Sequence, residues 1–180
     1  MRRRRSMTAV GLTWALTLGA VPVATAEAPQ AAPQPPPCAA EAYRQFDFWI
    51  GDWDVKDAAG EIVGSNQIEP ILGGCALQEH WSGRAGSVGH SLNMFDRSTG
   101  RWHQTWTDNS GLLLQLDGER RGDSMTLAGE RVDRTGARVR HQIGWQVRLD
   151  GSVRQHWQSS TDGGQTWTTV FDGLYIRKAR

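Results

Sequence analysis

Residues 46–55 read FDFWIGDWDV, and this stretch decides the fold. Two Phe, two Trp, an Ile and a Val fall within it. Trp49, Gly51, Trp53 and Val55 alternate with Ile50, Asp52 and Asp54, which is the period of a β-strand. The residues just before, 39–48, have the composition of a short helix. A helix that runs into a strand of this kind predicts a cap at one end of a β-structure. Nothing downstream shows a sustained helical period.

The chain beyond this point is a series of short alternating runs broken by Gly, Asp and Asn. They cover residues 61–68, 76–82, 88–95, 101–107, 112–116, 124–132, 138–149, 153–159 and 166–177. With the opening strand this makes about ten strands at hairpin spacing. Hairpin-short connections predict an up-and-down antiparallel meander, and closing the meander removes its exposed edges. The expected fold is all-β: a single antiparallel barrel with a short N-terminal helix.

Ahead of the barrel the sequence is of another kind. MRRRR is a cationic start, residues 7–23 are apolar and small, and Ala24-Thr25-Ala26 is an A-x-A cleavage pattern. Residues 1–26 therefore read as a secretory signal peptide and not as a membrane span. Residues 27–37, EAPQAAPQPPP, form a Pro/Ala-rich linker, and the barrel domain takes residues 38–180. Without residues 1–26, Lys and Arg fall from 20 to 16 against 19 Asp and Glu, and the net charge moves from +1 to −3. Neither a nucleic-acid partner nor an anionic membrane surface is supported by that balance. The expected location is secreted or periplasmic, where an even cysteine count favours a disulfide, here Cys38 with Cys75.

An acceptor followed two residues later by Trp recurs: Glu79 and Trp81, Gln104 and Trp106, Gln155 and Trp157. Residues i and i+2 of a strand share a face. Ser91, Asn93 and Phe95 make a similar face on the adjacent strand, and His141 shares one with Trp145. If these faces are internal, the lumen has flat aromatic walls and a few hydrogen-bonding groups, which is how small-molecule sites are built. A fully packed interior is the competing expectation, because buried Trp N–H groups need partners of this sort. The candidate ligand-binding residues are Trp53, Glu79, Trp81, Asn93, Gln104, Trp106, His141, Trp145, Gln155 and Trp157.

His80, His103 and His156 adjoin Trp81, Trp102 and Trp157, so they face away from them and outward. No metal-ligand spacing is present, and no metal is expected. Ser160-Thr161-Asp162-Gly163-Gly164-Gln165-Thr166-Trp167 matches the Asp-box pattern and reads as a hairpin staple, with the Asp carboxylate on turn amides.

Gly51-Asp52-Trp53 after a short helix resembles the G-x-W opening of the calycin superfamily, which includes lipocalins, fatty-acid-binding proteins and nitrobindins. FDFWIGDWDV, the later SxDGGxTW and the terminal FDGLYIRK together resemble a bacterial family of exported proteins of unknown function with a lipocalin-like barrel and an FDFWxGxWDV signature. The resemblance covers most of residues 46–178. It implies a barrel that can hold a ligand, and no established chemistry. Haem enters only as the nitrobindin-like exception, with His141 as the inward candidate ligand; otherwise no cofactor is expected. The leading expectation is an exported barrel that binds a small amphipathic or aromatic molecule. The alternatives are a barrel enzyme using Glu79 as general acid or base, and a packed barrel acting through its surface in the envelope.

Overall fold

The computed structural model describes residues 36–179. The expected signal peptide and residues 27–35 of the linker lie outside the described residues. The strands are β1 (Gly51–Lys56), β2 (Ile62–Ile71), β3 (Ala76–Gly83), β4 (Val88–Asp96), β5 (Arg101–Asp108), β6 (Leu113–Arg121), β7 (Ser124–Val132), β8 (Arg138–Val147), β9 (Val153–Ser160) and β10 (Thr168–Arg177). Each pairs antiparallel with its neighbours in the chain, and β1 pairs with β10 to close the barrel. The expected all-β, up-and-down barrel is the observed one.

The alternation along the strands decides which side is inside. In β4 every second residue from Gly89 to Asn93 is buried, and in β8 every second residue from Val139 to Trp145. The outward positions carry charge: Asp52 and Asp54 on β1, Arg138 and Arg140 on β8, Arg154 on β9. β4 departs from this, with Ser91 and Asn93 inward and Leu92 and Met94 outward. Among the described residues no helix is long and apolar enough to cross a membrane.

Aspartates hold the turns in register. Asp57, Asp96, Asp108, Asp133 and Asp150 each accept a backbone amide two residues on, as Asx turns do. Asp162 accepts the amides of Gln165 and Thr166, and the Trp167 indole donates to the Gly164 carbonyl, 3.1 Å. The Thr166 hydroxyl and amide, with Ser160, hold the Asp162 carboxyl well below the usual range. The Asp-box sequence is thus a hairpin staple between β9 and β10.

Residues 39–48 do not form a continuous helix. Two short 3-10 turns, Glu41–Arg44 and Asp47–Trp49, are separated at Phe46, whose φ of −105° and ψ of 4° break the helical path. The break turns Phe46 and Trp49 down into the barrel end. Phe46 stacks on Trp49 at 4.9 Å and meets Trp145 and Trp102 edge-on at 5.1 and 5.5 Å. The Trp53 indole donates to the Trp49 carbonyl, 2.9 Å, and the Trp102 indole to the Ala42 carbonyl, 3.2 Å. From the rim, the Arg120 guanidinium lies 5.0 Å from the Phe48 ring and donates to the Gln45 carbonyl. The Cys38–Cys75 disulfide ties the start of this plug to the turn before β3, with Cα atoms 5.1 Å apart.

Two strand ends differ from expectation by three residues or more. β6 runs on to Arg121 past the expected end at Leu116, because Asp117, Glu119 and Arg121 occupy outward positions and Gly118 an inward one, which leaves no apolar alternation to read. β2 continues through Pro70 to Ile71, where β1 has already ended at Gly51 opposite Ile68. Pro70 therefore sits on a locally free edge, the position in a sheet that tolerates a missing N–H.

Phe46 is fully buried among the rings of the plug. Phe46→Ala is expected to lower unfolding free energy by about 3–5 kcal/mol, the cost of deleting a buried aromatic ring, measured by urea denaturation. A loss under about 1 kcal/mol would show that the plug sits on the barrel without stabilising it.

Candidate functional site

Inward side chains from the plug to the opposite end fall into three layers. Nearest the plug are Trp53, Trp102, Trp145, Leu77 and Val153, all buried. At mid-height the layer is polar: Asn66, Glu79, Ser91, Asn93, Gln104 and Gln155. At the far end Trp81, Trp106, Trp157 and Phe171 are only partly buried. The pairing creates this order. Glu79 lies opposite Ser91, Asn93 opposite Gln104, and Trp81 opposite Gly89.

Glycines make room for two of the indoles. A Cβ at Gly64 would strike the Trp81 ring, and one at Gly89 the Trp106 ring. These indoles can therefore lie against neighbouring backbone and leave the centre open.

The open end holds a cavity of about 330 Å³. Its walls are Val63, Trp81, Trp106, Leu114, Ile143, Trp157 and Phe171. Its polar lining is Glu79, Gln104, Gln155 and Tyr175 from the middle layer, with Ala85, Ser87, Asp108 and Val170 at the mouth. Trp81 and Phe171 meet at 5.7 Å and 80°, forming a corner of the chamber.

Glu79 is the centre of a buried hydrogen-bond chain across β5, β4, β3, β2, β10 and β9. On one side Ser91 Oγ donates to Glu79 Oε2 at 2.5 Å, Asn93 Nδ2 donates to Ser91 Oγ at 2.8 Å, and Gln104 Nε2 donates to Asn93 Oδ1 at 2.9 Å. On the other side Asn66 Nδ2 donates to Glu79 Oε1 at 2.7 Å and to the Tyr175 hydroxyl at 3.2 Å, and Tyr175 donates to Gln155 Oε1. The first arm runs toward the carboxylate throughout, whereas in the second Asn66 donates to the carboxylate and the chain beyond it runs away through Tyr175 to Gln155. None of the ion pairs of the described residues includes Glu79.

Burial is the largest influence on Glu79 and raises its pKa from an ordinary 4.5 to about 7, against the pull of the Ser91 and Asn66 hydrogen bonds. Burial, with the Glu79 charge adding to it, also drives Tyr175 well above its usual value.

Of the residues singled out from sequence, Glu79, Trp81, Gln104, Trp106, Gln155 and Trp157 line the cavity. Asn93 stands behind them and orients Gln104. Trp53 and Trp145 do not reach the cavity; they pack in the closed end against Tyr175 and against Phe46 and Trp49. Strand parity assigns a side chain to the lumen, while its height along the barrel depends on register. Sequence reasoning missed Asn66, Phe171 and Tyr175 as parts of this site. Asn66 was within reach, since it shares parity with the inward Ile68. Phe171 lies past a register shift between Thr169 and Phe171, and such a shift breaks the simple alternation.

His141 points inward and is buried, and burial lowers its pKa, which keeps the ring neutral. Its Nδ1 accepts the Trp157 indole N–H at 3.1 Å, so the ring proton sits on Nε2. That Nε2 is buried without a partner, and His141 is not among the cavity-lining side chains. An axial haem ligand needs a nitrogen lone pair facing the chamber, so these residues do not fit haem. On the outer face His103 and His156 hydrogen-bond to Asp117 and Thr169, and His80 lies 3.5 Å from the Glu69 carboxylate.

No protein-family model matches the chain. No curated protein matches it significantly.

The raised pKa of Glu79 makes stability depend on pH with a definite sign. Between about 4.5 and 7 the folded state holds a proton that the unfolded state has released, so stability falls as pH rises through this window and is level above it. The full effect is about 3 kcal/mol. Glu79→Gln removes it, so the stability difference between wild type and the variant should shift by about that amount in the variant's favour from pH 4.5 to 7.5. Urea denaturation across this range measures it; parallel pH profiles would show that Glu79 titrates normally.

Proposed function

We propose that this chain is an exported, calycin-like β-barrel that binds a compact amphipathic or aromatic molecule in the open end of its lumen. The observation that carries the reading is the cavity of about 330 Å³ with three indoles and a phenyl ring around a polar floor. Its size is at the lower end for small-molecule pockets, about 300–1,000 Å³, so the ligand is small. Flat apolar walls supply affinity through buried area, and the floor groups select orientation. The disulfide between Cys38 and Cys75 supports an oxidising compartment. The open chamber favours this reading over a barrel that acts through its surface alone.

Glu79 as a general acid or base is the second reading, favoured by a pKa near neutrality. A paired mechanism needs another group that exchanges protons in the same range. Tyr175, joined to Glu79 through Asn66, is driven up as well, from a value already above that range, and so further from it. The arrangement therefore suits binding better than proton transfer.

Titration calorimetry with benzene-, indole- and naphthalene-based compounds of different charge tests the binding reading. At least one should saturate with one-to-one stoichiometry, and Trp106→Ala should weaken it by about 2 kcal/mol, roughly thirtyfold, as loss of an aromatic anchor does. No saturable heat with any of them would remove the cavity as a binding site.

A further inference from the structure

The chemistry of the chamber also selects a charge. Among the described residues the titratable side chains lining it are Glu79, Asp108 and Tyr175, and no Lys, Arg or His lines it. A carboxylate ligand would bring a second negative charge to Glu79 with no cation to receive either. A neutral apolar ligand would leave Glu79 desolvated and unpaired, which is costly for a buried charge.

The hydrogen-bond chain sharpens this. With Glu79 ionised, Ser91 must donate to it, so Asn93 must donate to Ser91 and Gln104 to Asn93. The order leaves Gln104 Oε1 as a buried acceptor without a donor, on a residue 2% exposed that lines the cavity. Glu79 lines the same cavity with a charge that no cation balances. The cavity therefore presents the Glu79 carboxylate and the free Gln104 carbonyl as acceptors, with the unpartnered Trp106 indole N–H as a donor beside them. The walls, Trp81, Trp106, Trp157 and Phe171, are the rings that attract a cation over their faces, Trp most strongly. Asp108 at the mouth adds negative potential along the way in.

Resting on the small-molecule reading above, we propose that the ligand is a small apolar amine bound as its ammonium ion. Its N–H groups are received by Glu79 and Gln104, and its apolar body lies between the indoles. An ammonium group carries donors only, which is the complement of the Glu79 carboxylate and the Gln104 carbonyl. Its charge offsets the burial that pushes Glu79 up to about 7.

Three probes of nearly equal shape separate the possibilities: 2-phenylethylamine, 2-phenylethanol and 3-phenylpropionate, titrated calorimetrically at pH 7.5. The amine is expected to bind at least tenfold tighter than the alcohol, with the carboxylate weakest. Glu79→Gln should lower the amine affinity tenfold or more and erase its advantage over the alcohol. Alcohol binding equal to or tighter than amine binding, or tightest binding of the carboxylate, overturns the ammonium assignment and leaves the cavity as a binding site. An amine affinity unchanged in Glu79→Gln also overturns it. Absence of binding by all three, together with silence of the wider aromatic panel, overturns both readings. The wild-type series decides the charge preference without relying on the variant's folding.

Discussion

Pairing of β1 with β10 is the constraint on which the structure depends. It satisfies the last open strand edges and turns the inner face of the sheet into one finite volume. Every inward side chain must then share that volume with those of the other strands. The plug fills one end with Phe46 and Trp49 against Trp145 and Trp102. With that end filled, the unfilled space lies at the other, where Gly64 and Gly89 let two indoles lie back against the wall.

Between the two aromatic layers the protein buries an arc of polar side chains from β2–β5, β9 and β10, and its cost is concentrated at Glu79. Asn66 and Ser91 satisfy both carboxylate oxygens, but hydrogen bonds do not replace the solvation of a charge. The residue is held near its neutralisation point under ordinary conditions. A barrel selected for stability alone would have an apolar side chain here. An acid at the floor of a chamber, with amides ordered around it, is the feature on which the proposed binding function rests.

Much of the fold was legible because strand period and turn chemistry are local. The acceptor-x-Trp pairs identified the inner face of β3, β5 and β9, and the outward direction of His80, His103 and His156 followed from the same alternation. The helix expected over residues 39–48 became two short turns because Phe46 and Trp49 are drawn into the barrel end, a tertiary demand that overrides local propensity. The end of β6 was hidden because Asp117, Glu119 and Arg121 carry no apolar alternation, although their backbone pairs with β7 through Arg121.

The sequence by itself determined the all-β class, the order of the strands and the inward face of the acceptor and Trp positions on β3, β5 and β9, since these follow from a two-residue repeat and from Asp- and Gly-rich turns. Only the tertiary structure decided height within the lumen. Trp81 and Trp145 have the same parity signal, yet one lines the chamber and the other is sealed beneath the plug. Height is set by register between strands distant in sequence and by what the plug displaces. The hydrogen-bond chain from Gln104 to Gln155 has the same origin, because it forms only when β5 and β9 are brought around one axis.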